Sequence, residues 1–418
     1  MRIHDLPRTG WVLLCLGALL AAQAGCSRGS SSGSSLPAPT ATNAGVPTPT
    51  PTPVIVDSPG ANLTDVIKNF PNGGTFVVSP GTYGPIELTG DDIGGPLTLR
   101  ADETGAFTGR PGTITILAQD KVAAINLDGL DNVVIDGVST VGGNTAGMLF
   151  RNGSQIVLLN NKVREARGDG IRLERSSAVL VFNNLIHAND GTGLTARGVN
   201  TMETVNNTIY GNAGGGLSYL RLAFPGGSEG SPFGFVINNI IDANLTFGLR
   251  VDGDSEFGFE GNYNINNDGY TGVEPGDRDL VADPLFVFPP RGDFRLQSNV
   301  GVGGSPAFDR GDPNTETFFV ESLRERTTRT DSFRDIPPVD LGYHYPGGID
   351  TPTPVPTFTP QGQRAPSSTP TFTPTATSVA AAQAQTAADA AGSSAGGATS
   401  DSVVIVPTPT ATATPVAD

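Results

Sequence analysis

Cysteine is almost absent: the 418 residues contain two. Cys15 falls inside an apolar N-terminal run, so Cys26 alone outlasts its removal, which excludes an intrachain disulfide and a thiol-ligated metal site. Basic residues are also scarce, 25 Lys and Arg against 41 Asp and Glu, for a net charge of −16. Neutralising phosphates needs the opposite balance, so a nucleic-acid partner is excluded and solubility outside a cell is the plainer reading. Long hydrophobic runs are missing too. The run from Trp11 to Ala22 is too short for a comfortable membrane span, and with Arg2 and Arg8 before it reads as an export signal.

Two cleavage readings stay open. Ala22-Gln23-Ala24 fits the small-x-small site of ordinary signal peptidase, whereas Ala24-Gly25-Cys26 has the form of a bacterial lipobox with Cys26 as the lipidated first residue. Gln23 departs from the aliphatic residue usual there, but Cys26 has no other evident task, which favours a lipid anchor as the sole link to a membrane.

What the chain has in quantity is glycine and proline, 55 and 34 residues. Ser, Gly and alternating Pro-Thr fill residues 26–53, and "TPTPVPTFTP" and "VPTPTATATP" flank an Ala-rich stretch in residues 347–418. Such segments stay extended and solvated and act as spacers. Between them, "NLTDVIKNF" predicts one short helix with Leu63, Val66, Ile67 and Phe70 on a single face and Asn62 as its cap. From Thr75 onward the pattern becomes short β-branched runs broken by Gly, Asn and Asp.

These runs repeat. Rows of 23 residues align Gly147, Gly170, Gly193 and Gly216, with Gly248 following after an insertion at Leu222 to Ser231. The same frame aligns Asn161, Asn184, Asn207, Asn239 and Asn262, then Asn189, Asn212, Asn244 and Asn267, then Asn160, Asn183, Asn206 and Asn238. Twenty-three residues suit one coil of a parallel β-solenoid with three short strands, so each column is a stack. Asparagine tolerates left-handed bends and can bond the amide of the next coil. Period two points Met148, Ile171, Leu194, Leu217 and Leu249 inward, with Phe150, Leu173, Ala196, Tyr219 and Val251 beside them. The second strands bury Leu158, Val181, Val236 and Phe259, and the third strands Val163, Ile186, Ile209 and Ile241. The fold class expected is all-β, a right-handed parallel β-helix over residues 54–270, capped by the short helix and followed by a closing segment at 271–346.

With "VVSPGTYGPIEL" at its start and "ADPLFVFPPRGDFRLQSNVGVGGSPAFDRGDPN" and "VDLGYHYP" at its end, this region resembles the bacterial secreted right-handed parallel β-helix proteins of the pectate-lyase-like superfold. The resemblance implies the fold. It leaves function open, because that fold hosts lyases, glycosidases, epimerases, esterases and binding proteins.

Outward positions on the first strands form a charged column, Asp128, Arg151, Glu174 and Arg197, beside a second column holding Arg172 and Arg250. Arg151, Arg172 and Arg197 surround Glu174. Residues 146–197 carry seven basic and four acidic side chains in an otherwise acidic chain. In the resembled enzymes the corresponding face holds an acidic polysaccharide, and guanidinium forks match uronate carboxylates. A plain salt-bridge ladder fits the same residues.

For a uronate lyase, Lys162 and Arg172 are the candidates for the base. The paired aspartates of polygalacturonases are not found, which puts a lyase ahead of a glycosidase. Asp169 and Asp190 read as turn residues. His187 shares an outward column with Arg164, Tyr210 and Asp242 and has no second histidine for zinc; His344 reads as structural. Asp268, Asp277 and Asp279 offer oxygen ligands for calcium without EF-hand spacing, so no cofactor is required and calcium is an option. The expectation is a monomeric, extracytoplasmic protein that binds a polysaccharide, with catalysis on an acidic glycan as the alternative.

Overall fold

The computed structural model describes residues 52–224, 227–229, 233–253, 258–298, 304–315 and 317–347. The signal, Cys26, most of the linker and the Pro/Thr-rich tail lie outside the described residues.

The chain winds as a right-handed parallel β-helix of about nine turns, about 23 residues each. One coil shows the plan: strands Ala146–Arg151, Ser154–Leu159 and Lys162–Arg164, and then Asp169–Glu174 opens the next. Stacking produces three parallel sheets of eight, nine and eight strands, here the first, second and third by their order within a coil. Residue i pairs with i+23, as in Arg151 with Glu174, Val157 with Leu180 and Val163 with Ile186. Met148, Phe150, Leu158 and Val163 fill one layer of a continuous buried core that runs the length of the solenoid.

The column glycines are demanded by close approach. A Cβ on Gly193 would lie 2.5 Å from the Ile209 Cγ2 methyl and 2.8 Å from Asn212 Nδ2. The asparagine beside the strand is held from above and below. Asn184 donates its backbone N and its Nδ2 to Asn207 Oδ1 at 2.8 and 3.0 Å, and Nδ2 also reaches Leu158 O at 2.9 Å. Both amide hydrogens and the carbonyl are therefore used, so the polar group is buried without the cost of an unmade bond.

The strict frame fails in the last coil. Val236 faces Gly261 where the spacing puts Phe259, and Asn239 bonds Asn264 at 2.9 and 3.0 Å where it puts Asn262. Both corrections have one cause: two extra residues enter between the first and second strands of that coil. Phe259 is half-buried instead, its ring 5.4 Å from that of Tyr219. The second ladder, Asn189 to Asn212 to Asn244, likewise passes to Asp268 and not to Asn267.

The open first coil is covered in two ways. Helix Leu63–Lys68 buries Leu63 and Ile67, with Asn62 accepting from Asp65 N at 3.4 Å, and Val54–Val56 adds an edge strand to the second sheet. At the other end the closing segment first lies on the last coil, where Leu280 bridges Ile265. It then runs back along the flank as a strap. Helix Thr317–Leu323 sets Phe319 and Leu323 onto the outward apolar residues Val157, Leu159, Leu180, Phe182 and Val205 of the second sheet. Phe294, Leu296, Leu341 and Tyr343 cluster with Leu185 and Ile240 of the third. Between the two sheets the strap meets the left-handed asparagines Asn183, Asn206 and Asn238, at φ 55°, 53° and 62°. His344 N donates to Asn183 Oδ1 at 2.6 Å, Asn206 Nδ2 to Asp340 O at 2.9 Å, and Asp312 N to Asn238 Oδ1 at 2.8 Å.

Candidate functional site

The outward face of the first sheet holds the charged columns in the expected register: Asp128, Arg151, Glu174 and Arg197 stand one coil apart. Their pairing differs from a simple alternation. Arg151 Nε donates to Asp128 Oδ2 at 3.1 Å. Arg172 Nε donates to Asp169 Oδ2 at 2.8 Å, and its Nη1 lies 3.9 Å from Glu174 Oε1. Asp169 is thus a strand residue, buried and engaged with Arg172, and not a turn residue. A third acid serves this face. The glycine after Asp169 suggested a bend, but Asp169 opens strand Asp169–Glu174 and its other oxygen takes Thr192 N at 2.9 Å.

Arg197 stands apart. Among the described residues no ion pair joins it to Glu174 or to another acid, and its Nε is buried without a hydrogen-bond partner. Beside it Thr195 and Ser218 form a buried hydroxyl pair at 3.3 Å. Arg250 continues the second column but is exposed, its guanidinium 6.0 Å from the Phe247 ring.

Lys162 is not brought to Arg172. It lies on the third sheet, with Nζ 5.4 Å from the Tyr345 ring and 5.9 Å from the Tyr343 ring of the strap. Burial lowers its pKa, opposed by the charge of Glu103. Burial in turn raises the pKa of Glu103, opposed first by Arg326, 3.5 Å away. These groups bind the strap to an early coil.

The calcium candidates have other duties. Asp268 Oδ2 accepts Asn244 N and Nδ2, each at 2.8 Å, and Asp279 Oδ1 accepts Asn264 N and Nδ2 at 2.7 and 3.0 Å. Asp279 Oδ2 takes the Tyr270 hydroxyl at 2.6 Å. Each ladder passes donors toward its last coil, and an ionised carboxylate accepts without needing to donate, so it ends the series. Asp277 is exposed on a separate surface hollow with Arg278 and Arg310. Among the described residues no group of three or more His, Cys, Asp or Glu is placed to hold a metal ion.

A cleft of about 630 Å³ lies elsewhere, between the third sheet and the strap hairpin Phe286–Phe288/Asp293–Leu296. Arg164, His187 and Tyr210 form its floor in consecutive coils. His187 is pushed down to about 4, by burial first and then by Arg164 and Lys162. The column is legible in the repeat but its cover is not, because the hairpin is about a hundred residues away along the chain. His344 is buried as expected, with Nε2 2.5 Å from Asp335 Oδ2.

Several solved structures are similar, two of them as follows. One is the periplasmic alginate epimerase AlgG, at 12% identity and TM-score 0.32 over 55% of this chain and 55% of that one. The other is the catalytic domain of a GH87 alpha-1,3-glucanase in complex with tetrasaccharides, at 13% identity and TM-score 0.25 over 58% and 60%. The chain spans just over half the length of each. No curated protein matches it. A family model, the right handed beta helix region, matches residues 107–223, the stretch in which the first-sheet arginines are stacked.

Proposed function

We propose that the chain is an exported protein that binds an acidic polysaccharide along the outer face of the first sheet, without catalysis. Arg197 carries this reading. Its Nε is buried and lacks a partner, at a point of the face where Arg151 and Arg172 already have carboxylates. Arg197 is partly exposed, so the rest of its guanidinium is open to a ligand while the buried Nε lacks a partner, and a ligand carboxylate would add charge-assisted hydrogen bonds there. Of the two candidate bases of the lyase alternative, Lys162 stands on another sheet and Arg172, on this face, is engaged by Asp169 at 2.8 Å, which favours binding. Export and lipidation at Cys26 are supported by the N-terminal run and lipobox; Cys26→Ala should then shift the protein out of the membrane fraction, and unchanged partitioning would leave ordinary secretion.

Calorimetric titration with polygalacturonate and alginate oligomers tests the binding. The parent should bind, more weakly as salt rises from about 0.05 M to about 0.5 M because the face is partly open to solvent. Arg197→Ala should weaken binding on the order of tenfold. Equal binding by parent and variant, or no binding by the parent, removes the face from consideration. Release of unsaturated product would restore the lyase reading.

A further inference from the structure

The cleft under the strap hairpin has the chemistry of a second site. Its cations are Lys162, Arg164 and Arg291, and among the described residues lining it the one acid is Glu165, which is tied to Arg164. Among the described residues neither Lys162 nor Arg291 makes an ion pair; each is set over aromatic rings, Lys162 over Tyr345 and Arg291 over Phe288 at 5.4 Å. The partly exposed rings of His187 and Tyr210 lie on the floor and pack on the buried Phe294. The Phe294 ring lies 4.9 Å from His187 and 5.1 Å from Tyr210. The volume falls within the span of roughly 300–1,000 Å³ usual for small-molecule sites.

Aromatic faces suit the C–H surface of a pyranose, and a guanidinium and an ammonium at the rim suit a carboxylate. We infer that this cleft binds an acidic sugar unit, a pyranose bearing a carboxylate, with Arg291 and Lys162 on the carboxylate and Tyr210 and His187 against the ring. The site stands on the third sheet and does not depend on the first-sheet face.

The test uses the whole chain and nuclear magnetic resonance of the His187 ring, with galacturonic acid, digalacturonate, galactose and glucose 6-phosphate as probes. Galacturonic acid or digalacturonate should perturb the His187 signals and move its titration upward from about 4, because an anion beside the ring favours the imidazolium. Galactose should leave them unchanged. Arg291→Gln, at an exposed hairpin position, should keep the fold and weaken the uronides on the order of tenfold. Arg197→Ala should not affect them, which separates this site from the polymer-binding face. Four results would overturn the inference: no uronide effect on His187, equal binding by Arg291→Gln, equal binding of galactose, or a response to glucose 6-phosphate alone.

Discussion

A single asparagine in this protein does what a strand hydrogen bond does, once per coil and with its side chain. Asn207 accepts two donors of Asn184 and sends Nδ2 to Val181 O at 2.8 Å and to Asn239 Oδ1 at 3.0 Å. Asn207→Leu is nearly the same size but strands Asn184 N and Nδ2 and the acceptors above and below. At about 1–3 kcal/mol for each buried group left unmatched, the loss should exceed about 3 kcal/mol in urea unfolding; a loss under about 1 kcal/mol would mean the ladder tolerates a gap. These asparagines were legible because a period of 23 repeats them. The aspartates that end the ladders were not. Asp268 and Asp279 look like loop oxygens for a cation until the donors aimed at them are seen, and the spacing that would have announced them breaks in the same coil. Asp169 hid for a different reason, since a carboxylate before glycine reads as a bend while its partner Arg172 is a strand neighbour.

At the scale of elements, the strap is what the repeat could not announce. The asparagines Asn183, Asn206 and Asn238 line up as a ladder, yet they serve a segment that arrives from residues 312–344, and no local pattern links the two. The outward apolar residues of the second sheet, Val157, Leu180 and Phe182, were the available signal, because an exposed strand face would alternate with polar residues. The strap also brings a buried charge cluster. Asp335 Oδ2 accepts Asp340 N at 2.8 Å beside His344, while Asp340 Oδ2 takes the Thr328 hydroxyl at 2.5 Å. Burial, and then Asp335, raise Asp340 to about 7 from an ordinary 3.8. A carboxyl raised in this way binds a proton in the folded strap that the unfolded segment has released, so its contribution is full below about pH 4 and is lost as pH rises through about 7. Hydrogen exchange across residues 326–346 should therefore quicken between about pH 4 and about pH 7, beyond its intrinsic pH dependence, and level off above. Asp340→Asn should flatten that change; the same quickening in the variant would assign it to another group.

For the whole molecule, the solenoid turns sequence period into surface position. Residues 23 apart become neighbours about 4.8 Å apart, so Asp128, Arg151, Glu174 and Arg197 form a straight row along the axis, the direction in which a linear polymer would lie. The row was legible as a row, but its state was not: which arginine is satisfied depends on Asp169 and on burial that only the wound chain reveals. The overall charge of −16 would repel an acidic polymer at long range, so binding must be local to this face and to the cleft. The most direct measurement is arginine-selective chemical footprinting of the intact protein with and without a polygalacturonate oligomer. The account predicts that the oligomer shields Arg197 most and Arg151 next, leaving Arg310 and Arg324 on the strap as reactive as before. Equal reactivity of Arg197 with and without an oligomer that is shown to bind would contradict it.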